Sequence, residues 1–283
     1  MKIHSLVKIA IFIVSAQGYI FCDAAAKGYK QVESSITRLR AEGQTVSHPH
    51  IPGSGRLSQK AQGASTNWGG YAAAYNLNNP LKNSVSAVYG SWIVPSIKVS
   101  RNDTYCAIWI GIDGYRSSTV EQIGTGHDYV NGVAQHYAWF EMYPGDSYLI
   151  NNFPVSVGDV ISASVEYAGN NIFILRLYND TKKVSFTVPT SYTTVSSPAD
   201  RSSAEWIVEA PYYNGVLPLA NFGRSYLFGC MANIRGTLAM IKNNSWSNIA
   251  LTMVTNSGAN KAVPSALLPD PANGAFTVDW KHQ

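Results

Sequence analysis

The chain has 283 residues, of which 12% are aromatic and only 13% charged, a composition typical of a folded domain and unlike that of a disordered chain. Its formal net charge of +4 arises near the N-terminus. Residues 1–62 hold eight Lys and Arg against three acidic residues, which leaves thirteen against fourteen for residues 63–283. Because the larger part of the chain is nearly neutral, the charge pattern argues against a nucleic-acid partner.

The first 26 residues have the pattern of a secretory signal. Lys2 and Lys8 precede an apolar run over residues 9–21, and the small residues Ala24-Ala25-Ala26 follow it. The run is shorter than the roughly 20 residues that a membrane span needs. We therefore predict a signal peptide over residues 1–26, a secreted, extracellular protein, and no membrane attachment after signal removal.

Residues 27–62 are predicted to be a pro-segment and linker. One short helix is predicted from Tyr29 to Glu42, followed by a stretch rich in Gly, Ser, Pro and His. The excess of positive charge predicts that this segment docks on acidic groups of the mature domain near neutral pH. Acid would neutralise those groups and charge His48 and His50, so we expect a zymogen that is released on acidification.

From residue 63 onward the pattern predicts a single all-β domain, residues 63–283. Helical periodicity is absent, and short alternating runs separated by turn residues indicate a β-sandwich. Gly124-Thr125-Gly126 is predicted to be a turn rather than a phosphate cradle. The strands are predicted at Ala87–Val94, Tyr105–Ile112, Ala134–Tyr143, Val160–Tyr167, Ile172–Tyr178 and Ile249–Val254.

Strand alternation predicts one aromatic and acidic face. Trp139 and Glu141 share a face opposite Phe140, and Trp109 and Asp113 share a face opposite three isoleucines. Such a sheet, apolar behind and aromatic in front, is suited to a binding groove. The alternative is that the two tryptophans fill the sandwich core.

Cys106 and Cys230 both fall at core positions. Secretion permits one disulfide between them, and two free buried thiols are the alternative. The sequons that begin at Asn102, Asn179 and Asn243 predict surface positions.

Several chemistries lack their motifs. The six histidines show no metal-ligand spacing, so no metal and no cofactor are predicted, and neither a Gly-x-Ser-x-Gly elbow nor a phosphate loop occurs. Two islands instead place a polar residue in a β-favouring frame: Gln122 in Val120–Gly124 and Glu205 in Ser203–Glu209. A carboxylate beside a neutral amide suits catalysis in acid, and these two residues are the candidate catalytic pair.

Five short motifs occur in the order and approximate spacing of the glutamic peptidases, or eqolisins. They are Asn67-Trp68-Gly69-Gly70, Trp109-Ile110-Gly111-Ile112-Asp113-Gly114, Glu121-Gln122-Ile123-Gly124, Ala138-Trp139-Phe140-Glu141-Met142-Tyr143-Pro144 and Ala204-Glu205-Trp206-Ile207-Val208-Glu209. The chain resembles that family over roughly residues 65–255. The resemblance implies a concanavalin-like sandwich of two antiparallel sheets, a removable pro-segment, and acid endopeptidase activity on protein or peptide substrates. We expect a monomer.

By motif match, Gln122 and Glu205 fall on the catalytic positions of the family, and five residues fall on substrate-binding groove positions: Trp68, Trp109, Asp113, Trp139 and Glu141. Glu205 would deprotonate the attacking water and then protonate the leaving amine, while the Gln122 amide would stabilise the oxyanion.

Two other functions suit a sandwich of this kind. A retaining glycosidase would use Glu141 and Glu205 as acid and nucleophile, about 5–5.5 Å apart. A carbohydrate-binding lectin would use the aromatic face without chemistry. Neither needs Gln122, so this residue discriminates between the classes.

Overall fold

The computed structural model describes residues 28–31, 36–38, 63–191, 198–213, 215–269 and 274–283. The predicted signal peptide and most of the predicted pro-segment lie outside these ranges. The described residues form strands and no helix, so none of them belongs to a helix able to cross a membrane. The strands are β1 (Lys30–Gln31), β2 (Ile36–Arg38), β3 (Ala64–Ser65), β4 (Trp68–Ala74), β5 (Val85–Ile93), β6 (Ala107–Ile112), β7 (Val120–Val130), β8 (Val133–Tyr143), β9 (Ser147–Ile150), β10 (Val160–Gly169), β11 (Ile172–Asn179), β12 (Val184–Ser191), β13 (Ala204–Glu209), β14 (Arg224–Ile234), β15 (Thr237–Met240), β16 (Ser247–Val254), β17 (Asn260–Pro264) and β18 (Phe276–Trp280).

The strands form two layers that are mainly antiparallel. The layer that we call the front sheet has the order β2-β9-β8-β7-β6-β13-β4-β16. The back sheet has the order β1-β12-β11-β10-β5-β14, and β15 and β18 pair with β14. Strand β16 also pairs with β17, β17 pairs with β18, and β18 pairs with β14 of the back sheet. Strand β16 therefore joins the two layers along one side.

The main hydrophobic core lies between the two sheets. Side chains from both layers meet there, and two tryptophans cross the gap: the indole N–H of Trp206 donates to the carbonyl of Tyr89 at 2.7 Å, and that of Trp92 donates to Thr125 Oγ1 at 2.8 Å. Alternation along each strand directs every second residue into this core. The predicted all-β sandwich is confirmed.

The predicted strands are confirmed to within two residues at each end. The helix predicted from Tyr29 to Glu42 is wrong where it can be compared, because Lys30–Gln31 and Ile36–Arg38 are strands that pair with sheet edges. Backbone pairing with an open edge outweighs the local helical preference of so short a segment.

The turn predicted at Gly124-Thr125-Gly126 is also wrong, since these residues lie within β7. The glycines serve close packing. A Cβ on Gly124 would lie 2.5 Å from Cβ of Trp109, and one on Gly126 would lie 2.1 Å from the ring of Tyr137.

Cys106 and Cys230 are two free, fully buried thiols, which decides between the two alternatives. Burial raises the pKa of both thiols well above its usual range. The surface position predicted for Asn179 is wrong. Its side chain is fully buried and donates to the carbonyl of Pro154 and to Asp159 Oδ2.

Candidate active site

One row of paired residues crosses the front sheet and contains both predicted catalytic residues. Glu205 on β13 pairs with Gly111 on β6, Gly111 pairs with Gln122 on β7, and Gln122 pairs with Glu141 on β8. Residues paired directly across antiparallel strands have their side chains on the same face. This face is the outer one, because the neighbouring residue Trp206 is part of the core.

Gly111 leaves space between the two candidate catalytic side chains. Adjacent strands lie about 4.8 Å apart, so the backbones of Glu205 and Gln122 are roughly 10 Å apart, with Gly111 midway. A Cβ at this position would lie 3.2 Å from Cβ of Gln122 and 3.1 Å from the ring of Trp109. The absence of a side chain therefore lets the carboxyl and the amide face each other across the row.

Gln122 is held by one hydrogen bond and keeps further bonding capacity. Its Nε2 donates to Glu141 Oε2 at 2.8 Å, while its buried Oε1 has no hydrogen-bond partner. A carboxylate only accepts, which fixes the NH₂ group of the amide toward Glu141. The second N–H and the carbonyl oxygen are the groups that a reacting molecule could use.

Glu205 is fully buried, and its carboxyl is only partly satisfied. Oε1 accepts the backbone N–H of Tyr115 at 3.3 Å, and Oε2 has no hydrogen-bond partner. Burial raises the pKa of Glu205 well above its ordinary value of 4.5, and the negative charge of Asp113 adds to the rise. The hydrogen bond from the backbone N–H of Tyr115 opposes the rise without cancelling it.

Asp113 lies at the end of β6, in the left-handed region with a φ of 72°, and is fully buried. Its Oδ2 accepts the backbone N–H of Arg201 at 2.6 Å, and its Oδ1 accepts the N–H and the hydroxyl of Ser202 at 2.8 and 2.9 Å. Burial raises the pKa of Asp113 despite these bonds. The carboxyl thus fastens the end of β6 to the segment that leads into Glu205.

Three tryptophans lie along the next rows of the same face. Trp109 and Trp139 both pair with Gly124, and Trp68 packs edge-on against Trp109 with ring centroids 4.9 Å apart. These three residues belong to a second hydrophobic cluster, separate from the core between the sheets. Their position therefore agrees with the groove interpretation and differs from the alternative in which they fill the sandwich core.

Glu209 is a residue of this face to which the sequence reasoning gave no role. Its Oε2 accepts the indole N–H of Trp109 at 2.7 Å, and its Oε1 accepts Nδ2 of Asn67 at 3.1 Å. Burial raises the pKa of Glu209 from 4.5 to about 7, although Trp109, Trp68 and Asn67 donate to it. Alternation from Glu205 through Ile207 would have placed it on the catalytic face.

All seven predicted site residues lie on or at the end of neighbouring front-sheet strands, and each is at most 1% exposed. Substrate must therefore displace covering groups to reach them. Among the described residues, no group of three or more His, Cys, Asp or Glu side chains is arranged to hold a metal ion.

The sequence model of the Peptidase A4 family matches residues 66–263. No curated protein is significantly similar to the chain in sequence.

Solved structures of similar fold include a scytalido-glutamic peptidase with a transition state analog inhibitor, which is 23% identical with a TM-score of 0.61 over 76% of this chain and 98% of that one. SCP-B, a member of the eqolisin family in complex with the tripeptide Ala-Ile-His, is 20% identical, with a TM-score of 0.59 over 76% of this chain and 98% of that one. The aspergilloglutamic peptidase from Aspergillus niger is 23% identical, with a TM-score of 0.54 over 63% and 99%. At these identities the structures establish the shared fold, and the match over residues 66–263 establishes the family. The chain belongs to the Peptidase A4 family, the eqolisins, and is a glutamic-type endopeptidase.

Proposed function

We propose that this protein is a secreted acid endopeptidase whose catalytic dyad consists of Gln122 and Glu205. The observation that carries the proposal is the row Glu205–Gly111–Gln122, in which a half-satisfied carboxyl and a half-satisfied amide flank a glycine. Buried polar atoms without partners are uncommon in folded proteins, and two of those in this protein belong to the groups that amide hydrolysis needs.

In the proposed reaction, a water molecule enters between the two side chains. Ionised Glu205 takes its proton as the water oxygen attacks the peptide carbonyl carbon, and the free N–H of Gln122 donates to the developing oxyanion. Gln122 Oε1 accepts a hydrogen bond from the same water and orients it. Protonated Glu205 then gives the proton to the leaving nitrogen as the C–N bond breaks.

The other site residues have supporting roles in this proposal. Glu141 orients the Gln122 amide through the 2.8 Å hydrogen bond, and Asp113 positions the segment that carries Glu205. Trp68, Trp109 and Trp139 form an apolar wall that contacts the side chains of a bound peptide. The family supports protein and peptide substrates, and we propose a monomeric enzyme.

The raised pKa of Glu205 determines the expected acid limit of the reaction. The base must be ionised, so kcat/KM should rise with pH through the pKa of Glu205, which lies above 4.5. The enzyme should therefore lose activity in strong acid, where Glu205 is protonated.

A glycosidase has weaker support. Glu141 and Glu205 are three strand spacings apart, roughly 14 Å at the backbone, and Gln122 lies between them. Secretion and a removable pro-segment rest on the signal pattern of residues 1–26 and the basic composition of residues 27–62.

Digestion of an unfolded protein such as casein, from about pH 2 to about pH 7 with and without pepstatin, tests the proposal. We expect Gln122→Ala to lower turnover by about 10²–10³-fold, the effect of removing one oxyanion donor, and Glu205→Gln to be at least as damaging.

Gln135→Ala, at an exposed position on β8, and Glu166→Gln, in a part-exposed ion pair with Arg176, are the matched controls. Circular dichroism must first show that each variant is folded. A folded Gln122→Ala variant with near wild-type turnover would refute the dyad.

A further inference from the structure

The first described residues of the chain pair with two different sheet edges. Strand β1 runs parallel to β12, with Lys30 opposite Val184, and the N–H of Lys30 donates to the carbonyl of Lys183 at 2.8 Å. Strand β2 runs antiparallel to β9, with Arg38 opposite Tyr148. Apart from these additions, β12 is the edge strand of the back sheet and β9 is the edge strand of the front sheet.

Tyr29 fits a site on the turn between β11 and β12. Its hydroxyl donates to Asp180 Oδ1, its ring packs edge-on against Tyr178 with centroids 5.4 Å apart, and the ammonium of Lys183 lies 5.0 Å from the ring centroid. The other oxygen of Asp180 accepts the hydroxyl of Ser162 at 2.5 Å, so the acceptor is itself held in place. The site therefore combines a fixed carboxylate, an aromatic wall and a cation above the ring.

The two edges lie on the same side of the sandwich. Phe140 on β8 stacks against Phe186 on β12, with ring centroids 6.0 Å apart, which joins the layers close to both edges. On the opposite side, β16 already joins the sheets. Without β1 and β2, the side at β9 and β12 would end in two rows of unpaired backbone N–H and C=O groups, which favour association with other chains.

We propose that residues 28–31 and 36–38 act as an anchor that binds the edges of β12 and β9 and stays bound after the chain is cut downstream of it. This inference rests on the proposed removal of the pro-segment, in which water hydrolyses a peptide bond within residues 39–62 and yields a new carboxylate and a new amine. The active protein would then consist of two chains held together without a covalent bond.

The two described strands of the anchor pair at sheet edges, away from the catalytic row. Strand β2 lies three strand spacings from β7, roughly 14 Å from the backbone of Gln122. Retention of the anchor and peptidase activity are therefore compatible, and each can be measured without the other.

The test uses the full chain with Glu205→Gln, which prevents self-cleavage. A recognition sequence for a site-specific protease is inserted after Gly43, the chain is cut there, and the products are separated by size exclusion at neutral pH and identified by mass. We expect the fragment that contains Tyr29 and Thr37 to elute with the catalytic domain in equal amount. Elution of this fragment by itself would overturn the proposal and leave the peptidase assignment untouched.

Three variants separate specific docking from nonspecific retention. Tyr29→Ala removes the phenol contacts, and Thr37→Pro disturbs pairing with β9; each should speed dissociation of the fragment by about tenfold or more. Gln31→Ala, at an exposed side chain, keeps the backbone pairing and should dissociate at the unmodified rate. Equal rates for all three variants would also overturn the proposal.

Discussion

At the scale of single residues, the two candidate catalytic side chains make few hydrogen bonds. The amide of Gln122 donates to Glu141, and the carboxyl of Glu205 accepts from the N–H of Tyr115. Asp113 and Glu209, by contrast, each accept from several donors. The difference separates groups that can react from groups that hold others in place, because a satisfied buried carboxyl has little capacity left for substrate.

Gln122→Glu tests the role of the neutral amide. The new carboxyl would lie beside Glu141, and two carboxylates in hydrogen-bond contact share a proton. Residual activity should require the new group to be protonated, so the pH profile of kcat/KM should shift to lower pH. A profile with the wild-type midpoint would show that a proton donor at this position is not needed.

Glu209 should hold the indole ring of Trp109 in position in the groove. Glu209→Leu leaves the N–H groups of Trp109 and Asn67 without an acceptor, so KM for peptide substrates should rise more than kcat falls. The Glu209→Gln variant retains one acceptor oxygen, so its KM should lie between the values of Glu209→Leu and of the wild type. Tryptophan emission of the wild type should titrate near the Glu209 pKa of about 7. The same midpoint in Glu209→Gln would contradict this assignment.

At the scale of elements, glycines on β6 and β7 allow the strands to carry bulky side chains on one face. Gly111 separates Glu205 from Gln122, and Gly124 lies between Trp109 and Trp139. A strand of β-branched residues would be a better strand by propensity, yet it would fill the face that the substrate needs.

Gly124→Ala should destabilise the fold strongly. The new Cβ would meet the carbonyl oxygen of Ile108 at 2.3 Å and Cβ of Trp109 at 2.5 Å, and neither belongs to a flexible chain end. We expect a loss of about 3 kcal/mol or more in the free energy of unfolding, measured by urea denaturation. Gly69→Ala, whose Cβ would have its nearest neighbour at 3.4 Å, is the control and should lose less than about 1 kcal/mol. Equal losses would refute the steric explanation.

At the scale of the whole molecule, buried carboxyls adapt the fold to acid. Burial raises the pKa of Asp113, Asp128, Glu205 and Glu209. The folded state therefore binds more protons than the unfolded state between the ordinary carboxyl pKa values and the raised ones. In that window stability falls as pH rises.

Glu209 alone illustrates the size of this effect. A rise in its pKa from 4.5 to about 7 corresponds to about 3 kcal/mol of stability, present below pH 4.5 and lost as the pH passes 7. His136 acts in the opposite direction, because burial lowers its pKa. Its contribution to the stability of the fold is therefore lost as the pH falls below 6.5. At the acid end, Asp159 and Asp279 have lowered pKa values, so their contribution is lost below 3.8.

We therefore expect the urea midpoint of the inactive Glu205→Gln protein to be highest in mild acid and to decrease toward neutral pH. Adding Glu209→Gln should flatten the decrease between pH 4.5 and about 7, because the group that titrates there is removed. A midpoint that rises steadily from acid to neutral pH would contradict the assignment of these buried carboxyls.

The sequence by itself determined the fold class, the boundaries of the six predicted strands and the face on which each candidate residue lies, because alternation along a strand is a local property. It also identified the family, and it supplied the hypothesis that Gln122 and Glu205 form the catalytic pair. It did not determine which strands are neighbours, and so it could not place Glu205, Gly111, Gln122 and Glu141 in one row.

Only the tertiary structure decided the remaining features, because each depends on residues far apart in the chain. The local sequence predicts Gly124 to be a turn residue, but its close approach to Trp109 explains the glycine within a strand. The local sequence also predicts a helix from Tyr29 to Glu42, but Lys30–Gln31 and Ile36–Arg38 pair with the edges of β12 and β9. The acceptor role of Glu209 depends on Trp109, which is 100 residues away in sequence. Burial, which sets the pKa values of the site, is likewise a property of the assembled sheets and of no single strand.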